Sequence, residues 1–384
     1  MKKRMTLSPI DMVYEILAWL PAKSLMRFKG ISKFWKSTIE YDSFFIQLHR
    51  RRSRTRIDGE KLLFHLSRNY FREHKFISID KEGERHITEY NSYDQYQQVL
   101  VLDGFVCFYS DRSSTISASL CNLSTREFIA LPKDSNFNKG LWRVSFLAMG
   151  FDSSHTLCKI LHKTKLSCGT KYKTGGFEVY KVGDPKNCWR IINSPPFECH
   201  YCDPCNHGNI CINGVIFWFS HCGGENKCYG GEKITAFDVS DESFHLISIP
   251  HNCYVRSLRN VDGVPTLMDS NWLLSGFGFV KLWKLKDYKN QVWVVEKILI
   301  DIELSFIRCW EGPNLIGTNC SGEILMIQLD GMKVLISSDR ARGISKVVEL
   351  GKLLPRGAPV DYRRHKLSGY TFVENIMPLK PISN

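Results

Sequence analysis

The feature that most constrains this chain is a change of hydrophobic period about sixty residues in. Before it, apolar residues recur every three or four positions, the spacing of helices that bury one face. From about Leu62 onward that period is gone. Short runs rich in Val, Ile, Phe and Tyr follow one another, broken by Gly, Asn, Asp, Ser and Pro, as in strands joined by tight turns. Such runs are Val99 to Tyr109, Phe177 to Val182, Ile210 to Phe219, Phe277 to Leu285 and Glu323 to Leu329. Asp103-Gly104, Asn213-Gly214, Asp262-Gly263 and Asp330-Gly331 each interrupt or follow one of them. These dipeptides adopt positive φ at low cost and so favour hairpin turns. About 320 residues of this kind exceed a usual sandwich or small barrel and suit roughly six blades of ~50 residues. The expected architecture is a small all-α N-terminal unit followed by an all-β domain, a roughly six-bladed β-propeller.

The first helix is expected to start at Ser8-Pro9-Ile10-Asp11. Ser8 is placed to cap free backbone N–H groups, and Pro9 takes the first helical position, where it loses no hydrogen bond. Met12, Val13, Ile16, Leu17 and Leu20 form one broad apolar face, and Pro21 stops the helix. A second helix over Lys23 to Lys29 presents Leu25, Met26 and Phe28, with Gly30 placed to end it in a left-handed conformation. Ile31, Trp35 and Ile39 predict a third helix, and Ser43 is read as the cap of a fourth that carries Phe44, Phe45 and Leu48. Some fifty residues lie near the lower limit for independent folding. Part of this rich apolar inventory is expected to face a partner; the alternative is that all of it makes an ordinary small core.

Ser8-Pro-Ile-Asp-Met-Val-Tyr-Glu-Ile-Leu, Leu20-Pro21-Ala-Lys-Ser-Leu25, Arg27-Phe28 and Ile31-Ser-Lys33-Phe-Trp35-Lys-Ser-Thr-Ile39 together resemble the F-box of large plant families. The resemblance implies that these helices bind the Skp-type adaptor of a cullin-based ubiquitin ligase. Carried over by position, the contact residues are Pro9, Met12, Ile16, Leu17, Leu20, Pro21, Leu25, Phe28, Ile31 and Trp35. The chain departs from the family pattern at Ser8, Gly30 and Ser32. An ordered series continues the likeness: Gly104-Phe-Val-Cys-Phe, Cys121-Asn122-Leu-Ser-Thr125-Arg126-Glu127, Met149-Gly150-Phe151-Asp152, Trp189-Arg190, Ile212-Asn213-Gly214-Val-Ile-Phe-Trp218, Phe237-Asp238-Val239 and Leu282-Trp283. It resembles the F-box-associated, kelch-like interaction domain of the same proteins, with Cys121-Asn122-Leu123-Ser124 where the family usually has Asn-Pro. The domains implied are an F-box over 1–49, a basic linker over 50–60 and the β-propeller-like domain over 61–378. Trp189, Trp218 and Trp283 are expected to fill blade cores.

Residues 1–56 hold 13 Lys/Arg against 4 Asp/Glu, so they carry nine of the chain's thirteen net positive charges. Arg50, Arg51, Arg52, Arg54 and Arg56 concentrate that charge. Such a run suits a solvated linker, a nuclear signal or a nucleic-acid patch. No apolar run approaches the ~20 residues of a membrane helix, and the basic start is not followed by the apolar stretch of a signal peptide. A cytoplasmic or nuclear location and no membrane partner are therefore expected, with the 14 cysteines mostly free thiols. Cys107 and Cys211 lie in strand-like runs, as small hydrophobes do. Cys199, Cys202, Cys205 and Cys211, with His200 and His207, have zinc-like spacings but no two clean pairs, and are read as a polar loop with incidental thiols, no metal being assigned. Gly223-Gly224 to Gly230-Gly231-Glu232-Lys233 lacks the phosphate-loop spacing and reads as a hairpin loop. No hydrolase motif is present and no cofactor is implied. Three functions stand: a non-catalytic substrate receptor that binds a Skp-type adaptor, through it a cullin, and a target protein; a nucleic-acid-binding regulator using residues 50–56; and a propeller hydrolase.

Overall fold

In the computed structural model, residues 9–56, 60–68, 73–80, 85–91, 98–109, 118–132, 142–154, 156–168, 171–195, 209–221, 232–251, 253, 257–269, 278–300, 313–319, 321–328, 334–349 and 366–379 are described. Beyond the N-terminal helices, the described strands make six antiparallel four-stranded blades. Blade 1 contains β1 (Glu60–Arg68), β2 (Glu73–Ile79) and β3 (Arg85–Asn91). Blade 2 contains β4 (Gln98–Leu102), β5 (Phe105–Tyr109), β6 (Ala118–Asn122) and β7 (Phe128–Ala130). Blade 3 contains β8 (Trp142–Phe151), β9 (Cys158–Cys168), β10 (Lys171–Lys181) and β11 (Arg190–Ile192). Blade 4 contains β12 (Asn209–Ile212), β13 (Val215–His221), β14 (Glu232–Asp238) and β15 (Phe244–Ser248). Blade 5 contains β16 (Ser257–Val261), β17 (Val264–Asp269), β18 (Phe279–Asp287) and β19 (Val292–Leu299). Blade 6 contains β20 (Asn314–Thr318), β21 (Ile324–Gln328), β22 (Val334–Asp339) and β23 (Ile344–Glu349). The C-terminal β24 (Lys366–Val373) pairs with β1 and completes blade 1, so the ring is closed by the two ends of the domain.

β4 touches β8, β8 touches β12, β12 touches β16, β16 touches β20 and β20 touches β24, which places these strands around the centre. Six apolar clusters lie between successive blades. Phe64, Ile77, Ile316 and Ile327 join blades 6 and 1, for example, and Leu161, Phe177, Ile216 and Trp218 join blades 3 and 4. Trp189 and Trp218 are buried and Trp283 half-buried in such clusters. Close approach makes one glycine obligatory: a Cβ on Gly150 would lie 2.5 Å from Ile216 Cγ1, across the join between blades 3 and 4.

Asp103-Gly104 (φ 46° and 85°), Asn213-Gly214 (49° and 85°) and Asp262-Gly263 (54° and 76°) form the expected two-residue hairpin turns between first and second strands. Asp330-Gly331 lies outside the described residues. In an antiparallel blade these turns share one end with the third-to-fourth connections. The second-to-third and blade-to-blade connections are at the other end. Three of the blade-to-blade connections are long: 11 residues between β7 and β8, 16 between β11 and β12, and 16 between β23 and β24.

The helices are α1 (Pro9–Ala18), α2 (Ala22–Phe28), α3 (Lys33–Tyr41) and α4 (Ser43–Thr55). Ser8 lies outside the described residues. Gly30 does not take the expected left-handed conformation: Gly30 N–H donates to Arg27 O and Ile31 N–H to Phe28 O, so tight turns close α2 without positive φ. Ser32 caps α3, its hydroxyl accepting from Trp35 N–H at 3.2 Å. The cap of α4 is Asp42 rather than Ser43, because its carboxylate reaches both Phe44 N–H (2.9 Å) and Phe45 N–H (3.1 Å). The last turns of α4 contain Arg50 to Arg54, so the stretch expected as a basic linker over 50–60 is helical as far as Thr55.

Candidate functional site

The core of the helical unit is Leu17, Ala18, Ala22, Leu25, Ile39, Phe45 and Leu48, completed by Ile376 from the segment after β24. Tyr14 fixes α1 against α4, its hydroxyl donating to Asp42 at 3.0 Å and its ring meeting Phe45 edge-on at 5.5 Å. With that core complete, the ten residues carried over from the F-box pattern divide. Met12, Ile16 and Ile31 keep 49%, 64% and 64% of their surface exposed. Leu20, Pro21, Phe28 and Trp35 are half-buried. Leu17 and Leu25, at 5% and 0%, are spent in the core and offer no contact surface. Of Pro9 only its place at the start of α1 is described. Ile10, Trp19, Phe34 and Phe44 are exposed apolar residues absent from the expected contact set. Phe34 adjoins Trp35, and a strict i, i+4 count passes over it, whereas Phe44 is counted with the fourth helix and not with the contact set.

The second feature is the joint between helices and propeller. Arg50 is buried and pairs with Asp103 in the β4–β5 turn, and its guanidinium lies 4.8 Å from the centre of the Phe151 ring. Burial pulls the Arg50 pKa down, and the charge of Asp103 opposes that shift. Arg54 approaches the other Asp103 oxygen at 3.7 Å. Arg52 reaches Glu15 at 2.6 Å and stacks over Trp19 at 5.0 Å. Arg56 bonds Glu374 at 3.0 Å and Trp19 O at 3.2 Å. Four of the five arginines of the basic run are thus engaged within the chain, and Arg51 is exposed.

A cavity of about 700 Å³ opens on the inner strands at this joint. Arg54 and Arg259 share its walls with Asp103 and Asp262, a mixture that selects no ligand charge. Of the cysteine cluster, Cys211 lies in β12, its thiol donating to Phe151 O at 3.5 Å and pushed up to about 12 by burial. Cys199, His200, Cys202, Cys205 and His207 lie outside the described residues, as do Gly223 to Gly231.

Residues 9–47 match the model of the F-box domain, and residues 55–356 match the model of the F-box associated beta propeller domain. The chain belongs to the F-box proteins with an F-box associated β-propeller. Its relatives include F-box protein At1g30790 of Arabidopsis thaliana, 29% identical over 83% of this chain and 82% of that protein. Another is F-box protein At3g49450 of the same plant, 27% identical over 74% of this chain and 71% of that protein. The F-box is therefore the helical unit with exposed Met12, Ile16 and Ile31, seated on the propeller end that carries the Asp103 turn. No helix among the described residues is long and apolar enough to cross a membrane.

Proposed function

We propose that this F-box protein is the substrate-recognition subunit of a Skp–cullin–F-box ubiquitin ligase. The observation that carries the reading is the exposure of Met12, Ile16 and Ile31 on a helical unit whose core is already complete. Several exposed apolar side chains on so small a unit mark a docking surface. A Skp-type adaptor is the partner that the F-box implies, and it brings a cullin with it. Leu20, Pro21, Phe28 and Trp35 contribute the edges of that surface, Pro9 opens the helix that carries it, and Leu17 and Leu25 support it from beneath.

Target capture belongs to the opposite end of the propeller. The F-box occupies the end with two-residue turns, and the long connections, which vary and bind most readily, are at the other. The chain supplies proximity and no catalytic group: it holds a target near the charged conjugating enzyme and raises its effective concentration. It acts where such ligases act, in the cytoplasm or nucleus. The nucleic-acid reading is weakened by the pairing of Arg50, Arg52, Arg54 and Arg56 within the chain. The test is co-purification with a Skp-type adaptor, comparing the wild-type chain with Ile16→Asp/Ile31→Asp. Recovery of adaptor and cullin by wild type alone is expected; equal recovery by the variant refutes the reading.

A further inference from the structure

The six residues after β24 cross from the propeller to the F-box and back. Glu374 is buried, and its carboxylate accepts from Ala22 N–H at 2.9 Å and from Arg56 at 3.0 Å, with Lys61 at 3.7 Å. Pro21, which precedes α2, provides no side-chain cap, so the acceptor for the buried Ala22 amide comes from 352 residues away. Ile376 is buried among Leu17, Ala18, Ala22 and Leu25, an F-box core residue supplied by the C-terminal segment. Leu379 is buried in the cluster between blades 2 and 3, and its N–H donates to Glu127 at 2.9 Å. Asn122 links the two ends: its Nδ2 donates to Asn375 O at 2.9 Å and Met377 O at 3.0 Å. Asn375 in turn donates through its side chain to Asp103 O at 3.1 Å.

We infer that residues 374–379 are a strap that fixes the orientation of the F-box on the propeller, with Glu374 as the positioning residue. Its anchors act on different parts. Glu374 holds the α1–α2 turn by charge and hydrogen bonds, Ile376 holds the helical core by packing, and Leu379 and Asn122 hold the propeller. On the α4 side the helices meet the ring through Arg50 and Arg54 at the Asp103 turn, and the strap adds an attachment at α1 and α2 that restricts rotation about that contact. Resting on the ligase reading, the strap sets the distance and direction from adaptor to captured target. A target lysine then meets the conjugating enzyme as an effectively intramolecular partner. No strap residue is among the exposed Met12, Ile16 and Ile31, so loosening it leaves the adaptor surface in place.

The experiment uses the full chain without adaptor, with paired spectroscopic labels introduced as unnatural amino acids at Lys23 and Lys346, both exposed. The wild-type chain is expected to give one narrow distance distribution. Glu374→Ala and Ile376→Ser should each broaden it, with helical circular dichroism retained. Glu374→Gln keeps an acceptor for Ala22 N–H and loses the charge facing Arg56, so its distribution should fall between wild type and Glu374→Ala. Adaptor affinity of Glu374→Ala should stay within about threefold of wild type, less than one decade of binding. A distribution unchanged in the double variant Glu374→Ala/Ile376→Ser overturns the strap, as does loss of helical signal in Glu374→Gln. Failure of the ligase reading is seen separately, as wild-type chain that binds no adaptor while its distance distribution is narrow.

Discussion

Ile16→Ala and Leu25→Ala separate contact with the adaptor from support of the fold. Ile16 is 64% exposed, so most of its side chain has yet to be buried. Full burial of such a side chain is worth ~1.5–3 kcal/mol. The exposed share leaves about 1–2 kcal/mol for a partner, or roughly five- to thirtyfold in affinity at ~1.4 kcal/mol per decade. Alanine is the better helix former, so the stability of α1 should not fall. Ile31, equally exposed, is expected to behave alike, and the pair should add if the two sites are independent. Leu25 is fully buried, and Leu25→Ala should cost on the order of 2–5 kcal/mol of F-box stability through lost contacts and a cavity. The assay is calorimetric titration with purified adaptor beside a thermal melt of each variant. Ile16→Ala/Ile31→Ala should weaken binding with an unchanged melt; Leu25→Ala should lower the melt first. Wild-type affinity in the isoleucine double variant would refute the assignment of this face.

Three further outcomes follow from buried groups. His49, whose Nε2 contacts Leu20 O at 3.0 Å, is held neutral, burial lowering its pKa from 6.5 to about 4. Above pH 6.5 it adds nothing; as pH falls toward 4 the unfolded chain takes up the proton first, so roughly 3 kcal/mol of stability should be lost across that window. The melting temperature of His49→Gln should depend less on pH between those values. Asp103→Ala leaves the buried Arg50 without its carboxylate and should cost about 3–5 kcal/mol in chemical denaturation, against less than ~0.5 for Arg51→Ala at an exposed site. Gly150→Ala forces Ile216 and Val239 apart, their nearest atoms lying 2.5 and 2.9 Å from the new methyl, and should lower the urea midpoint by an amount equivalent to ~1–3 kcal/mol.

The parts legible in the sequence are those whose cause is local. Period and turn chemistry act over two to eight residues, so Asp103-Gly104, Asn213-Gly214 and Asp262-Gly263 mark their hairpins in advance, and alternating apolar runs mark the blades. The four helices follow from spacing in the same way. The errors arise where two local candidates compete. Asp42 and Ser43 both suit a helix cap, and the carboxylate reaches two amides at once. Gly30 permits a left-handed end but does not compel one. Met12 and Leu17 lie on the same broad face of α1, and only packing against Ile39, Phe45 and Leu48 decides which of them is buried.

The basic run shows how far a local reading can miss the chemistry of this chain. As a string, Arg50 to Arg56 is surplus charge, because its partners are not nearby in sequence. Asp103 is 53 residues from Arg50, and Glu374 is 318 from Arg56. Once α4 sets their directions, Arg50 and Arg54 meet a blade turn, Arg52 a helix and Arg56 the C-terminal strap. The same arginines that suggest an electrostatic surface therefore form the joint between two domains. Desolvated charge at that joint is destabilising unless every partner is in place. That condition ties the fold of the F-box to closure of the propeller, since Glu374 reaches Arg56 only when β24 has paired with β1. The F-box and the ring thus meet through charges whose partners come from both, and on the proposed reading that joint sets the geometry between adaptor and target.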